Sequence, residues 1–280
     1  MPYTLITGGN AGIGKTTAIA LAEKGHTIII ACRNEAKAQQ AVTAIKTATN
    51  NNAVHYLICD LASFESVKNC AEKYCQQFGQ LDILINNAGL ITDKLQFTKG
   101  GLELQIGVNH FGHFLLTQLL LDLLQESSEP RIINVSSTAH YSAKINFNTF
   151  KGEIGEERYS GFAAYGQSKL ANVLFTKELV RRYPNIYSYS LHPGVVGTSI
   201  GTKNGNSKWW TIAWKIFSPF MLNPTKGAKT TVYLATSQEV LQSSGKYFEK
   251  QQEKEPSALA HDVELAQKLW ELSEEMINLA

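Results

Sequence analysis

The sequence predicts an α/β protein: a doubly wound, mostly parallel sheet of about seven strands with helices on both faces, in one domain over 1–280. Three observations predict it. Short, continuous apolar runs alternate with longer helical patterns, and the runs carry the β-branched residues of strands buried on both faces. Glycines crowd the turn between the first run and the first helix. No repeat, low-complexity tract or linker divides the chain, whose length lets it bury a large core without disulfide or metal.

The first strand covers 3–7, and the first helix runs from about 13 to 24, where Gly25 stops it. A β-branched run at 27–32 is the second strand. A helix over about 35–47 leads through Asn50-Asn51-Asn52 to a third strand at 54–59. A helix over 64–78 precedes a fourth strand at 81–85, and a long helix over 102–124 precedes a fifth at 131–135. The remaining elements are a helix at 160–182, strand 186–191, helix 225–236, a short strand at 246–248 and a closing helix at 263–279.

Composition removes several function classes. The chain has 26 basic and 24 acidic side chains and a net charge of +2, so no global field draws it to nucleic acid or an anionic membrane. Cys32, Cys59, Cys70 and Cys75 form no C-x-x-C pair and read as free thiols. Met1-Pro2-Tyr3 runs straight into a strand, with no signal segment and no apolar stretch of about 20 residues, so a cytoplasmic protein is the expectation.

The glycine-rich turn reads Thr7-Gly8-Gly9-Asn10-Ala11-Gly12-Ile13-Gly14. Glycines there bring backbone N–H groups up to a pyrophosphate, with the helix N-terminus behind them. A dinucleotide would meet Gly8, Asn10, Gly12, Ile13 and Gly14. A plain strand-to-helix turn also favours glycine, so the place of the cluster at the first junction gives it weight. The end of the second strand selects the dinucleotide. An NAD site places a carboxylate there for the ribose 2′-hydroxyl, whereas this chain has Cys32-Arg33-Asn34. The Arg33 guanidinium suits the 2′-phosphate of NADP(H), and Lys37 adds a second charge one turn on. Solvated surface charge is the alternative reading of both.

Further motifs follow in order: Asp60-Leu61, Asn86-Asn87-Ala88-Gly89, Asn109, Ser137, Tyr165-Gly166-Gln167-Ser168-Lys169, and His192-Pro193-Gly194 with Val196 and Thr198. In this order they resemble the short-chain dehydrogenase/reductase family over nearly the whole chain. Ala31-Cys32-Arg33, the stretch Val108-Asn109-His110-Phe111-Gly112-His113-Phe114 and Ser244-Gly245-Lys246-Tyr247-Phe248 are most similar to its retinol dehydrogenase-like branch. The resemblance implies a Rossmann-type fold. It also implies that Asp60 and Leu61 lie at the adenine, Asn87, Ala88 and Gly89 under the cofactor, and Pro193, Gly194, Val196 and Thr198 at the nicotinamide amide. Asn109, Ser137, Tyr165 and Lys169 would be catalytic, the last two touching cofactor as well. Two departures stand out: many branch members carry an N-terminal anchor, and Gly9 and Ala11 replace commoner loop residues.

Carbonyl reduction needs a proton donor and a partner for the developing oxyanion. Tyrosine, with a pKa near ~10, needs help at neutral pH. Lys169 lies one turn from Tyr165 on the same face and favours the phenolate. Ser137 would donate to the substrate oxygen, and alternation along the strand sends Ser136 to the other face. By resemblance Asn109 holds a relay water; a buried asparagine satisfying backbone is the alternative. His110, His113 and His140 lack metal-ligand partners and read as core or surface histidines.

Two segments would shape the substrate side. One is 138–160, since Ser137 and Tyr165 stand 28 residues apart, more than the family's usual dozen or so. The other, 200–223, sets Trp210, Trp214 and Phe217 on one helical face. A lid over a long apolar substrate, a membrane-surface helix over 205–221 aided by Lys203, Lys208 and Lys215, and plain core packing are its three readings. A hydrophobic carbonyl or alcohol, retinal-like or lipid-derived, is the expected substrate. Competing readings are an NADP(H)-binding sensor without turnover and an epimerase or double-bond reductase on the same fold. A homodimer through the two long helices is the arrangement the family often uses.

Overall fold

The computed structural model describes residues 1–153, 155–194 and 223–278. Val196, Thr198 and nearly all of the 200–223 segment lie outside them. One sheet organises the fold. Its strands are β1 (Tyr3–Thr7), β2 (Thr27–Cys32), β3 (Val54–Ile58), β4 (Ile83–Asn86), β5 (Arg131–Val135), β6 (Tyr187–His192), β7 (Tyr247–Glu249) and β8 (Gln252–Lys254). The order is β3-β2-β1-β4-β5-β6-β7-β8, parallel except for the last pair. Strand order reverses between β1 and β4, which run parallel, and this opens a crevice at the carboxyl ends of the strands.

Alternation within the strands builds a core on each face. Ile6, Ile30 and Ile85 point to one side, where they pack with α1 (Gly12–Glu23) and α2 (Glu35–Thr49). Leu5, Ile29 and Leu84 point to the other side, toward α3 (Phe64–Phe78) and residues Phe114, Leu120 and Phe175. Side-chain caps start α2 and α3: Asn34 Oδ1 accepts from the Lys37 amide at 2.9 Å, and Ser63 caps α3. Among the described residues no helix is long and apolar enough to cross a membrane.

Two elements differ from the sequence expectation. The sheet has eight strands because β7 turns back into β8 through Lys250-Gln251, both at positive φ (52° and 65°). Such a two-residue turn usually advertises itself with Asn-Gly or Gly; here ordinary side chains occupy it, so the hairpin is hidden in the sequence. The predicted continuous helix over 102–124 is instead α4 (Leu104–Ile106), a π turn (Gly107–Phe111) and α5 (Gly112–Gln125). Asn109 sits in the middle of that π turn, a device that recurs where a helix must re-aim a functional group.

Beyond β5, three short 3-10 turns (Thr138–Ser142, Phe147–Thr149 and Glu156–Arg158) lead to α6 (Gly161–Arg182). Then come β6, α7 (Pro224–Thr236), the β7–β8 hairpin and α8 (Val263–Asn278). The inserted stretch is anchored at its end. Tyr159 donates to the buried Glu103 carboxylate at 2.8 Å and accepts from Gln105 at 2.7 Å. Helix α8 places Trp270 between Phe114 and Phe175, with ring centroids 4.9 and 5.7 Å apart.

Candidate active site

A cleft of about 660 Å³ opens above the ends of β1 to β4. Every cofactor residue expected from the first four strands lines it: Gly8, Asn10, Gly12, Ile13, Gly14, Arg33, Asn34, Lys37, Asp60, Leu61, Asn87, Ala88 and Gly89. The walls fit a dinucleotide. Gly8 turns at φ +67°, and a Cβ on Gly14 would come within 2.5 Å of the Gly8 carbonyl, so the loop folds only with a bare backbone there. Asn87 locks the loop from below, its amide nitrogen donating to Thr7 O at 2.8 Å. Asp60 spends one carboxylate oxygen on the Ala62 amide at 3.1 Å. Ala31, Cys32, Cys59, Ala62, Leu90, Leu104, Val108 and Pro224 also line the cleft. Sequence reasoning did not assign them to the cofactor; for Ala31, Cys32 and Cys59 the position at a strand end was the available signal.

The four expected catalytic residues converge from β5, the π turn and α6. Ser136 and Ser137 diverge as alternation requires: Ser136 Oγ is buried and donates to Lys169 O at 2.7 Å. Ser137 is half-buried and faces the Tyr165 hydroxyl. Burial raises the Tyr165 hydroxyl above the ordinary tyrosine value, and the Ser137 hydrogen bond opposes the rise. The tyrosine is therefore held as the acid. The Lys169 ammonium lies 5.6 Å from the Tyr165 ring centre and donates to Val135 O at 3.0 Å. Burial without a carboxylate partner lowers its pKa to about 8.

Asn109 is fully buried, and its amide is committed. Oδ1 accepts from Leu90 N at 2.9 Å, and Nδ2 donates to Leu90 O at 3.0 Å and Ser168 Oγ at 2.9 Å. Both amide hydrogens are spent on joining the π turn to α6 and to the strand end. Its backbone carbonyl accepts from His113 Nδ1 at 3.0 Å. The far side of that ring meets Thr7 Oγ1 at 2.8 Å. Thr7 Oγ1 already accepts from the Asn87 and Ala88 amides at 2.9 Å each, so its own hydrogen goes to His113 Nε2. That fixes a neutral imidazole, which burial keeps uncharged down to a pKa of about 4. His113 thus ties the glycine loop to the π turn, a link invisible in the sequence. Pro193 and Gly194 follow β6 outside the cleft, Gly194 at φ +86°. No cluster of His, Cys, Asp or Glu among the described residues could hold a metal.

A family model described as "short chain dehydrogenase" matches residues 2–209. The chain belongs to the short-chain dehydrogenase family. Retinol dehydrogenase 13 of Homo sapiens is 42% identical over 280 residues, covering 98% of this chain and 84% of that protein. Retinol dehydrogenase 12 of Mus musculus is 40% identical over 277 residues, with 98% and 86% covered. Among solved structures, an uncharacterised protein from Mycobacterium paratuberculosis superposes with a TM-score of 0.79 at 32% identity, over 99% of this chain and 94% of that one. A short chain dehydrogenase from Escherichia coli CFT073, complexed with NADPH, shares the fold at a TM-score of 0.71 and 23% identity, covering 90% and 97%. This short-chain dehydrogenase is accordingly an oxidoreductase acting on CH–OH groups, interconverting alcohol and aldehyde on a small molecule with a nicotinamide cofactor.

Proposed function

We propose that the chain interconverts a hydrophobic alcohol and its aldehyde or ketone, retinal-like or lipid-derived, with NADP(H). The observation that carries the chemistry is the convergence of Ser137 and Lys169 on Tyr165, at the end of the strands that form the cleft. The cofactor reading rests on Arg33 and Lys37, both exposed on the cleft wall at the end of β2 with no acidic residue between Ala31 and Asn34. The substrate reading draws on the identity to retinol dehydrogenases 12 and 13 over almost the whole chain.

The glycine loop, Arg33, Lys37, Asp60 and Asn87 to Gly89 would hold the cofactor, which supplies or takes the hydride. In reduction Ser137 donates to the carbonyl oxygen and holds it against Tyr165. As the carbon gains hydride, the Tyr165 hydroxyl gives its proton to that oxygen, leaving a phenolate. Lys169, charged below about pH 8, stabilises the phenolate across one helical turn. Oxidation runs the same transfers in reverse.

The test is NADPH and NADH oxidation against aldehydes from short-chain to retinal, with Tyr165→Phe alongside. NADPH-selective turnover of the long apolar members is expected, reduced about 10²- to 10⁴-fold in Tyr165→Phe with NADPH binding retained. Faster turnover of small polar carbonyls would overturn the substrate reading, and NADH preference the cofactor reading.

A further inference from the structure

We propose that His140 is the positioning residue of Ser137, clamping the serine's backbone to the segment that follows the β7–β8 hairpin. This rests on the reading of Ser137 as the group that orients the substrate oxygen.

The hydrogen-bond pattern assigns both ring nitrogens. Ser137 O can only accept, so His140 Nδ1, 2.6 Å away, carries the hydrogen. The Ser257 backbone amide can only donate, so Nε2, 3.2 Å from it, is bare. A neutral imidazole therefore bridges two backbone groups 120 residues apart in sequence. The ring is 0% exposed and lies between Tyr141 and Tyr247, at centroid distances of 4.1 and 4.8 Å. Tyr141 reinforces the tie, its hydroxyl donating to Glu255 O at 2.8 Å.

Ser137 stands where the chain leaves the sheet. Its upstream neighbour is fixed by Ser136 N donating to Leu191 O at 2.7 Å. On the downstream side Ser137 O takes both the His140 amide, at 3.1 Å, and the His140 ring. Meanwhile Ser137 Oγ accepts from Ala139 N at 3.3 Å, which orients the hydroxyl beside Tyr165. His140 is fully enclosed whereas Ser137 is half-buried, so the histidine acts through the serine.

The experiment measures kcat, the KM for NADPH and thermal unfolding for Ser137→Ala, His140→Gln, His140→Asn, Ser257→Pro and the double variant Ser137→Ala/His140→Gln. His140→Gln is expected to lower kcat about 10-fold at unchanged KM for NADPH, because a small misplacement of an orienting group is costly. Asn places an amide nitrogen where Nδ1 was and should bring kcat back to within about threefold of wild type. Ser257→Pro, at a native φ of −60° that proline accepts, deletes the far end of the clamp and should lower kcat about threefold. In the Ser137→Ala background His140→Gln should cost nothing further. The proposal is overturned if His140→Gln leaves kcat unchanged, if Asn is as damaging as Gln, or if the double variant multiplies two independent losses. Wild-type turnover in Ser137→Ala would instead overturn the reading of the serine itself, a separate result.

Discussion

The two halves of the proposed site are built by different physics. The cofactor half, over β1 to β4, is made of backbone: Gly8 and Gly14 leave room for one another, and polar side chains such as Asn34, Asp60 and Asn87 spend themselves on nearby amides and carbonyls. The catalytic half is made of buried side chains that reach across elements. Asn109 joins Leu90 to Ser168, Ser136 holds Lys169 O, and His113 connects Thr7 to the π turn. In the first half, adding an atom does the damage. In the second, removing a hydrogen-bonding group does.

That contrast can be broken experimentally. The largest effect expected is from Gly14→Ala, whose Cβ would press on the Gly8 carbonyl at 2.5 Å and the Asn87 amide at 2.6 Å. Cofactor titration by NADPH fluorescence should show affinity falling at least ~100-fold through lost phosphate contacts. Unchanged affinity would mean that the loop yields and the steric account is wrong. Next, Asn109→Ala leaves the Leu90 amide and carbonyl and the Ser168 hydroxyl without their partner. Urea unfolding should record a loss of roughly 2–4 kcal/mol, since each orphaned buried group costs about 1–3. A loss under ~0.5 kcal/mol would show that the π turn does not depend on this amide.

The smallest effect is the one that sharpens the comparison most, because two readouts move in opposite directions. Lys169 has its pKa lowered by burial from 10.5 to about 8. Between those values the unfolded chain binds a proton that the folded one has released, so this residue's contribution to stability rises with pH. Its contribution to reduction falls over the same window, as the charge that favours the Tyr165 phenolate is lost. Relative to Lys169→Met, wild type should therefore gain stability and lose kcat on passing above pH 8. Parallel movement of the two quantities would break the assignment of both to one ammonium.

Much of this was legible before the structure. The strand–helix alternation, the glycine loop and Arg33 are local signals, set by side-chain periodicity and by backbone conformations that few residues tolerate. The order of motifs marked Ser137, Tyr165 and Lys169; alternation put Ser136 and Ser137 on opposite faces, and the family resemblance chose between them. Three features were not legible. The β7–β8 hairpin hides behind Lys250-Gln251, a turn without its usual residues. The π turn looks like continuous helix, since residues 107–117 are buried all round and present no apolar stripe whose shift would betray the extra residue. The histidines at 113 and 140 read only as core or surface residues, because a hydrogen bond between groups more than 100 residues apart leaves no spacing to detect. Sequence by itself determined the fold class and which chemistry the chain carries. Only the tertiary structure decided which nitrogen of each histidine bears the proton and what holds the serine in place, because those depend on partners that folding alone brings within reach.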